Sequence, residues 1–173
     1  LEQRMKDLDK ERDLSPLPPH IVGGALIVPA GYFVRTQGNV AAYCTSAVER
    51  SRIEHIAMQA VMETELRLGY LPRDVHVENY GYDIESSIPD TGKLRFIEVK
   101  GRITGAPTIT VTKNEILTAF NKPDDYILAL VLIDEDTVTT KYVTRPFSRE
   151  PDFGVTSVNY RLDELLAKAQ DPW

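Results

Sequence analysis

Eight consecutive residues, Tyr126 to Ile133 (Tyr-Ile-Leu-Ala-Leu-Val-Leu-Ile), carry no polar break. An apolar run of this length, closed by Asp134-Glu135-Asp136, reads as a strand buried on both faces. Such a strand needs neighbours on each side and layers above and below, which commits the chain to an α/β architecture. The surrounding order supports it. A long helix reads from about Val48 to Leu68, with Ile53, Ile56, Ala57, Ala60, Val61, Thr64 and Leu68 on one stripe at about 100° per residue. Ser46 and Glu49 give it a capping-box start, and Gly69 with Pro72 gives it a stop. Strand-like runs follow at Val75–Asn79, Tyr82–Ile88 and Leu94–Lys100, the last two joined by the turn sequence Pro89-Asp90-Thr91-Gly92. Thr108–Thr112 is a fourth β-like run. A helix from Lys113 to about Asn121 begins at a second capping box, Thr112 with Glu115. Val138–Val143 reads as a strand and Leu162–Ala169 as a closing helix. The expectation is a mixed β-sheet flanked by helices.

The first 19 residues read differently. Leu1–Leu14 is a charged helix with a narrow apolar stripe, and Ser15-Pro16-Leu17-Pro18-Pro19 is a stiff break. The expected organisation is therefore a helix and linker over 1–19, the tail of an upstream region, and a domain over 20–173 with its core at about 46–144. Within that domain Ile21–Pro29 reads as a strand. The leucine at position 1 suggests a piece of a longer polypeptide.

Composition removes several function classes. A net charge of −6 argues against a broad basic surface coating nucleic acid. Basic residues nonetheless gather at Lys93, Arg95, Lys100, Arg102 and Lys113. One cysteine, Cys44, excludes an internal disulfide, fits a reducing cytoplasm and reads as a small buried thiol. The three histidines are scattered, so no zinc-ligand spacing exists. No run is apolar and long enough to span a bilayer. No Walker loop, dinucleotide fingerprint or nucleophile elbow occurs.

The remaining chemistry lies between Gly81 and Gly101. Alternation along a strand puts Phe96, Glu98 and Lys100 on one face and Ile97 and Val99 on the other. With Asp83 alongside, two carboxylates and one amine converge, a set that suits a hard divalent cation and phosphodiester hydrolysis. A surface salt bridge on an edge strand would give the same spacing. Glu54 lies roughly 80° from the centre of the helical stripe, at the edge of the core-facing side. Glu65 falls almost on the same line about three turns on, and Glu63 lies across the helix, towards solvent. Glu85 shares a face with Asp83 and reads as a solvated hairpin carboxylate.

Gly81-Tyr82-Asp83-Ile84-Glu85 followed by Ile97-Glu98-Val99-Lys100-Gly101 resembles the core of the PD-(D/E)xK nuclease-like superfamily. Within it the sequence is similar to the domain at the C-terminus of NO VEIN, found also at the ends of Snf2-like and other superfamily-2 helicases, some in phage-defence loci. The likeness spans about Glu49 to Val143 and includes Arg52-Ile53-Glu54 and Thr112-Lys113-Asn114-Glu115. It implies a restriction-endonuclease-like α/β fold. It also implies that Asp83, Glu98 and Glu54 hold Mg²⁺ (or Mn²⁺), and that Lys100 orients or helps deprotonate the attacking water. Glu115, Arg102 and Lys113 would be substrate contacts, although a plain capping role explains Glu115 equally well. The expected partners are DNA and upstream helicase or ATPase domains of the same polypeptide, with no membrane; the expected place is the cytoplasm, at the nucleoid or free of it. The alternative is a non-catalytic docking or DNA-binding module on the same fold.

Overall fold

The computed structural model describes Glu2, Met5, Lys6 and residues 47–173 apart from 135 and 136. The proline-rich break, the Ile21–Pro29 strand, Cys44 and Ser46 lie outside the described residues, as does most of the Leu1–Leu14 helix; Glu2, Met5 and Lys6 are helical and exposed. The chain divides into two compact units, Leu1–Val40 and Ala41–Trp173, and the second carries all that follows.

Helix α1 (Ala47–Arg67) ends where the sequence says it should. Gly69 adopts φ +87°, and the Gly69 and Tyr70 N–H groups donate to the Leu66 and Glu65 carbonyls, a Schellman closure. Five strands form the main sheet: β1 (Leu71–Asp74), β2 (Ile84–Ile88), β3 (Lys93–Ile103), β5 (Tyr126–Asp134) and β6 (Thr137–Thr144), in the order β1-β2-β3-β5-β6. Among the described residues, only β3 and β5 pair in parallel. The fold is α/β with a mixed sheet, as expected. The apolar run at 126–133 forms β5, buried from Tyr126 through Val131 and flanked on both sides.

Strand β5 divides the core. Ile127, Ala129 and Val131 pack with Ile97 of β3 beneath Ala57 and Val61 of α1. Tyr126, Leu128 and Leu130 face the opposite layer, built from β4 (Thr108–Thr112), α2 (Lys113–Asn121), β7 (Ser157–Arg161) and α3 (Leu162–Leu166). Full burial of one such aliphatic side chain contributes about 1.5–3 kcal/mol. At the α1 end farthest from Glu54, Glu65 is wholly buried, accepts a hydrogen bond from the Tyr142 hydroxyl at 2.8 Å and pairs with Arg95 at 3.3 Å. The Arg95 guanidinium lies over the Tyr70 ring, so this cluster locks α1 to β3 and β6.

Four readings need correction. Residues 75–79 are not a strand: β1 comes earlier, and His76–Glu78 is a 3₁₀ turn leading into Asn79 at φ 54°. Asp74 draws the chain off the ladder by accepting the His76 N–H at 3.0 Å. Strand β4 does not join the main sheet; it pairs with β7, which went unrecognised although Val158 and Tyr160 alternate with polar residues. The last helix stops at Leu166. Arg95 is no part of a basic rim, because it is buried on the α1 face with Glu65. Among the described residues, no helix is long and apolar enough to cross a membrane.

Gly101 fixes the distance between α1 and β3. A Cβ at this position would stand 2.8 Å from the Ala57 Cβ and 3.0 Å from the Ile53 carbonyl oxygen. Helix backbone cannot yield as a side-chain tip can, so Gly101→Ala is expected to cost about 1–3 kcal/mol in urea denaturation. Gly154→Ala, which meets nothing within 4 Å, should stay within about 0.5 kcal/mol.

Candidate functional site

The site exists because β2 stops covering β3. Ile84 is the first β2 residue and pairs with Ile97, so β3 beyond Ile97 has β5 on one side and, among the described residues, no partner strand on the other. Gly81, at φ +84°, turns the chain away there; a Cβ would overlap the Thr118 hydroxyl and stand 2.9 Å from the Asn114 carbonyl oxygen. Asp83 sits at the point of divergence. Its N–H donates to the Ile97 carbonyl at 2.9 Å, and its own carbonyl accepts the Val75 N–H at 2.8 Å. Its side-chain Oδ2 then accepts the Val99 N–H at 2.9 Å. A carboxylate thus takes over the bond that the departing strand no longer provides.

Glu98 and Lys100 point together towards α2, on the face opposite Ile97. Glu98 is 3% exposed, and its Oε1 accepts from the Lys100 Nζ at 2.6 Å. The same ammonium reaches the Glu115 Oε2 at 2.9 Å. Glu115 is held in turn by its capping box, its Oε2 accepting the Thr112 N–H at 3.0 Å. The capping reading of Glu115 holds, and the same oxygen also meets Lys100. These bonds occupy one oxygen each of Asp83 and Glu98. The Asp83 Oδ1 and the Glu98 Oε2 have no hydrogen-bond partner among the described residues.

The electrostatics follow from burial. Desolvation pushes the Glu98 carboxyl up to about 8; Lys100 pulls against this, while Asp83 and Glu115 add to it. Burial likewise raises Asp83, opposed by the Val99 N–H and Lys100. For Lys100, burial favours the neutral amine, but Glu98 and Glu115 outweigh it and hold the group charged. The Tyr126 hydroxyl, fully buried and without a partner among the described residues, is raised first by burial and then by Glu98, Glu115 and Asp83.

Asp83, Glu98, Lys100 and Glu115 line a cleft of about 240 Å³ between the end of β2, β3, α1 and α2. Glu54, exposed on α1, lines the same cleft, so helical phase placed it correctly. It does not complete a ligand set: no group of three His, Cys, Asp or Glu stands at metal-binding spacing among the described residues. Glu65 lies elsewhere, in the Arg95 cluster, and Glu63 is exposed. Glu85 is not solvated; Tyr82 donates to it at 2.8 Å and Arg73 pairs with it at 2.5 Å. Arg102 is engaged with the Thr108 and Gly101 carbonyls, and Lys113 with the Phe153 carbonyl at 2.8 Å and the Phe153 ring. Lys93 is exposed on the hairpin. Sequence reading missed His76, which lines the cleft beside Asp83. Its signal was Asp74-x-His76, a carboxylate two residues from an imidazole at the end of a strand.

The architecture is that of an α/β domain with an acid–lysine cleft at the uncovered edge of a sheet. A family model described as protein NO VEIN, C-terminal, matches residues 53–143, a span that contains every one of these cleft residues, and the chain belongs to that family. No curated protein matches the sequence.

The Glu98 carboxyl makes stability depend on pH. Between its ordinary value of 4.5 and about 8, the folded protein retains a proton that the unfolded chain has released. Its stabilising contribution is complete below the first value and lost as pH rises through the second. In chelator, the melting temperature should fall as pH rises from about 5 to about 9, and Glu98→Gln should flatten that fall. Identical profiles for the two proteins would show that Glu98 is not the titrating group.

Proposed function

We propose that this domain is a Mg²⁺-dependent DNA phosphodiesterase of the PD-(D/E)xK type, working as the C-terminal module of a helicase-like protein, including those of phage defence. The observation that carries the reading is the meeting of Asp83, Glu98 and Lys100 in one cleft, each carboxylate with an oxygen to spare. The donor set fits Mg²⁺, which binds through one or two carboxylates and keeps several waters. Asp83 and Glu98 would hold the ion, and Glu54, which lines the same cleft, would act through water. Bound there, the cation would supply Lewis-acid polarisation of the phosphate and a more acidic water.

The chain's own groups do the rest. Lys100, kept charged by Glu98 and Glu115, is a fixed cation for the phosphate oxyanion and a poor general base. Glu115 limits the freedom of Lys100, and Thr112 limits that of Glu115. Gly101 keeps α1 close enough to form the cleft wall.

A second reading, a docking or DNA-binding module without catalysis, draws on two observations. The Glu98–Lys100–Glu115 chain resembles a structural ion-pair network. Four of the five basic residues singled out in the sequence, Arg95, Lys100, Arg102 and Lys113, are engaged within the protein.

Calorimetry with Mn²⁺ and cleavage of plasmid DNA separate the two. The chain should bind Mn²⁺ and nick or linearise DNA only with a divalent cation. Asp83→Asn should lose at least about tenfold in Mn²⁺ affinity with little loss of melting temperature, since it relieves repulsion between buried acids. Lys100→Ala should bind the ion and cut about 10²-fold or more slowly. Strong destabilisation of Asp83→Asn with unchanged ion affinity would favour the ion-pair network and the second reading.

A further inference from the structure

His76 stands in the cleft wall, with Asp74 bonded behind it, and neither takes part in the scheme above. The His76 Nδ1 lies 2.6 Å from the Asp74 Oδ1, and that same oxygen accepts the His76 backbone N–H at 3.0 Å. One carboxylate oxygen therefore fixes both the main chain and the ring of the histidine. With Nδ1 engaged, Nε2 is left without a hydrogen-bond partner among the described residues. The turn is anchored as well as oriented. Val75 is buried in the core, its N–H donates to the Asp83 carbonyl, and its carbonyl accepts the Glu78 N–H at 2.9 Å.

Both residues line the cleft: His76 follows Val75, whose N–H is bonded to the Asp83 carbonyl, and Lys100 is bonded to Glu98. Displacement at phosphorus brings the attacking oxygen in opposite the one that leaves. A leaving alkoxide is strongly basic and needs a proton as its bond breaks. Lys100 is clamped between two carboxylates. The groups acting on His76 are Asp74, through its hydrogen bond and its charge, and Asp83; both raise the imidazole above its ordinary value, and burial opposes them.

Resting on the phosphodiesterase reading, we propose that His76, oriented by Asp74, is the general acid that protonates the leaving oxygen. The water oxygen forms a bond to phosphorus as the P–O ester bond breaks, its electron pair going to the departing oxygen. That oxygen takes the Nε2 proton. The attacking water loses one proton to solvent, and the imidazole regains one from solvent. One water is consumed, and one phosphate monoester and one hydroxyl are formed. Asp74 is a positioning residue.

The test compares an all-oxygen DNA duplex with one carrying a bridging sulfur at the linkage the wild-type protein cuts, because a thiolate leaves without a proton. His76→Ala should slow cleavage of the oxygen substrate by about 10²–10⁴-fold and of the sulfur substrate by less than about tenfold. Asp74→Asn should impair the oxygen substrate alone, with the alkaline limb of its pH–rate profile moved to lower pH. Equal impairment of His76→Ala on both substrates, with an unchanged melting temperature, overturns the assignment while leaving the phosphodiesterase reading intact. A wild-type protein that binds Mn²⁺ but cuts neither substrate overturns both. His76→Gln guards against misfolding: it keeps the size and polarity of the side chain and should show the same selective loss.

Discussion

The hydrogen bond from the Val99 N–H to the Asp83 carboxylate is the interaction on which the cleft depends. A strand edge buried without a partner would leave amides unpaired, each costing about 1–3 kcal/mol. By taking that amide, Asp83 allows β2 to leave β3 early, and the early departure opens the cleft. The same side chain is thereby fixed at the cleft's lip, with its second oxygen directed to no partner among the described residues. Scaffold and candidate chemistry share one carboxylate.

Lys100 plays the matching part on the other face. Three elements meet at its ammonium: β3 through Lys100 and Glu98, and β4 and α2 through the Thr112–Glu115 cap. A capping box ordinarily ties a helix end to itself. Here its glutamate also reaches across to the sheet, so the start of α2 is set by an ion pair as well as by backbone geometry. Opposite, Gly101 lets α1 descend onto the same strand. The two helices thus approach β3 on different terms, one by charge and one by the absence of a side chain.

The parts of this arrangement governed by local rules were legible in the sequence. The apolar run at 126–133, the stripe on α1, the second capping box and the hairpin turn each follow from periodicity or turn chemistry, and each forms. Asp83, Glu98 and Lys100 come together as strand alternation and one hairpin predict, while Glu115 was read only from its capping box and the family resemblance. What failed depended on tertiary competition. Val75–Asn79 has strand composition, but Asp74 offers the backbone a better partner and makes a turn. Arg95 looks solvent-facing by type, yet Glu65, thirty positions away in sequence, draws it under the sheet. His76 could be noticed only with Asp74 and Asp83 beside it in space. Arg102 and Lys113 turned inward for a similar reason, since nearby carbonyls satisfied them before any ligand could.

The burial of Glu98 has a meaning for how such a domain can change over generations. A carboxylate kept out of water is a standing expense to the fold, and its replacement by the amide of the same shape relieves it. Burial thus weighs against the acid at this position, and its retention would be expected only where the chemistry proposed for the cleft is selected. A lineage that lost the need for the cleft would be expected to shed the charge at 98 early, gaining robustness as it did so. The scaffold would survive the loss intact, because the Val99 amide is held by Asp83 and α1 is seated by Gly101, neither of which involves Glu98. At position 98 the demands of the fold and of the candidate chemistry part, whereas at Asp83 they coincide.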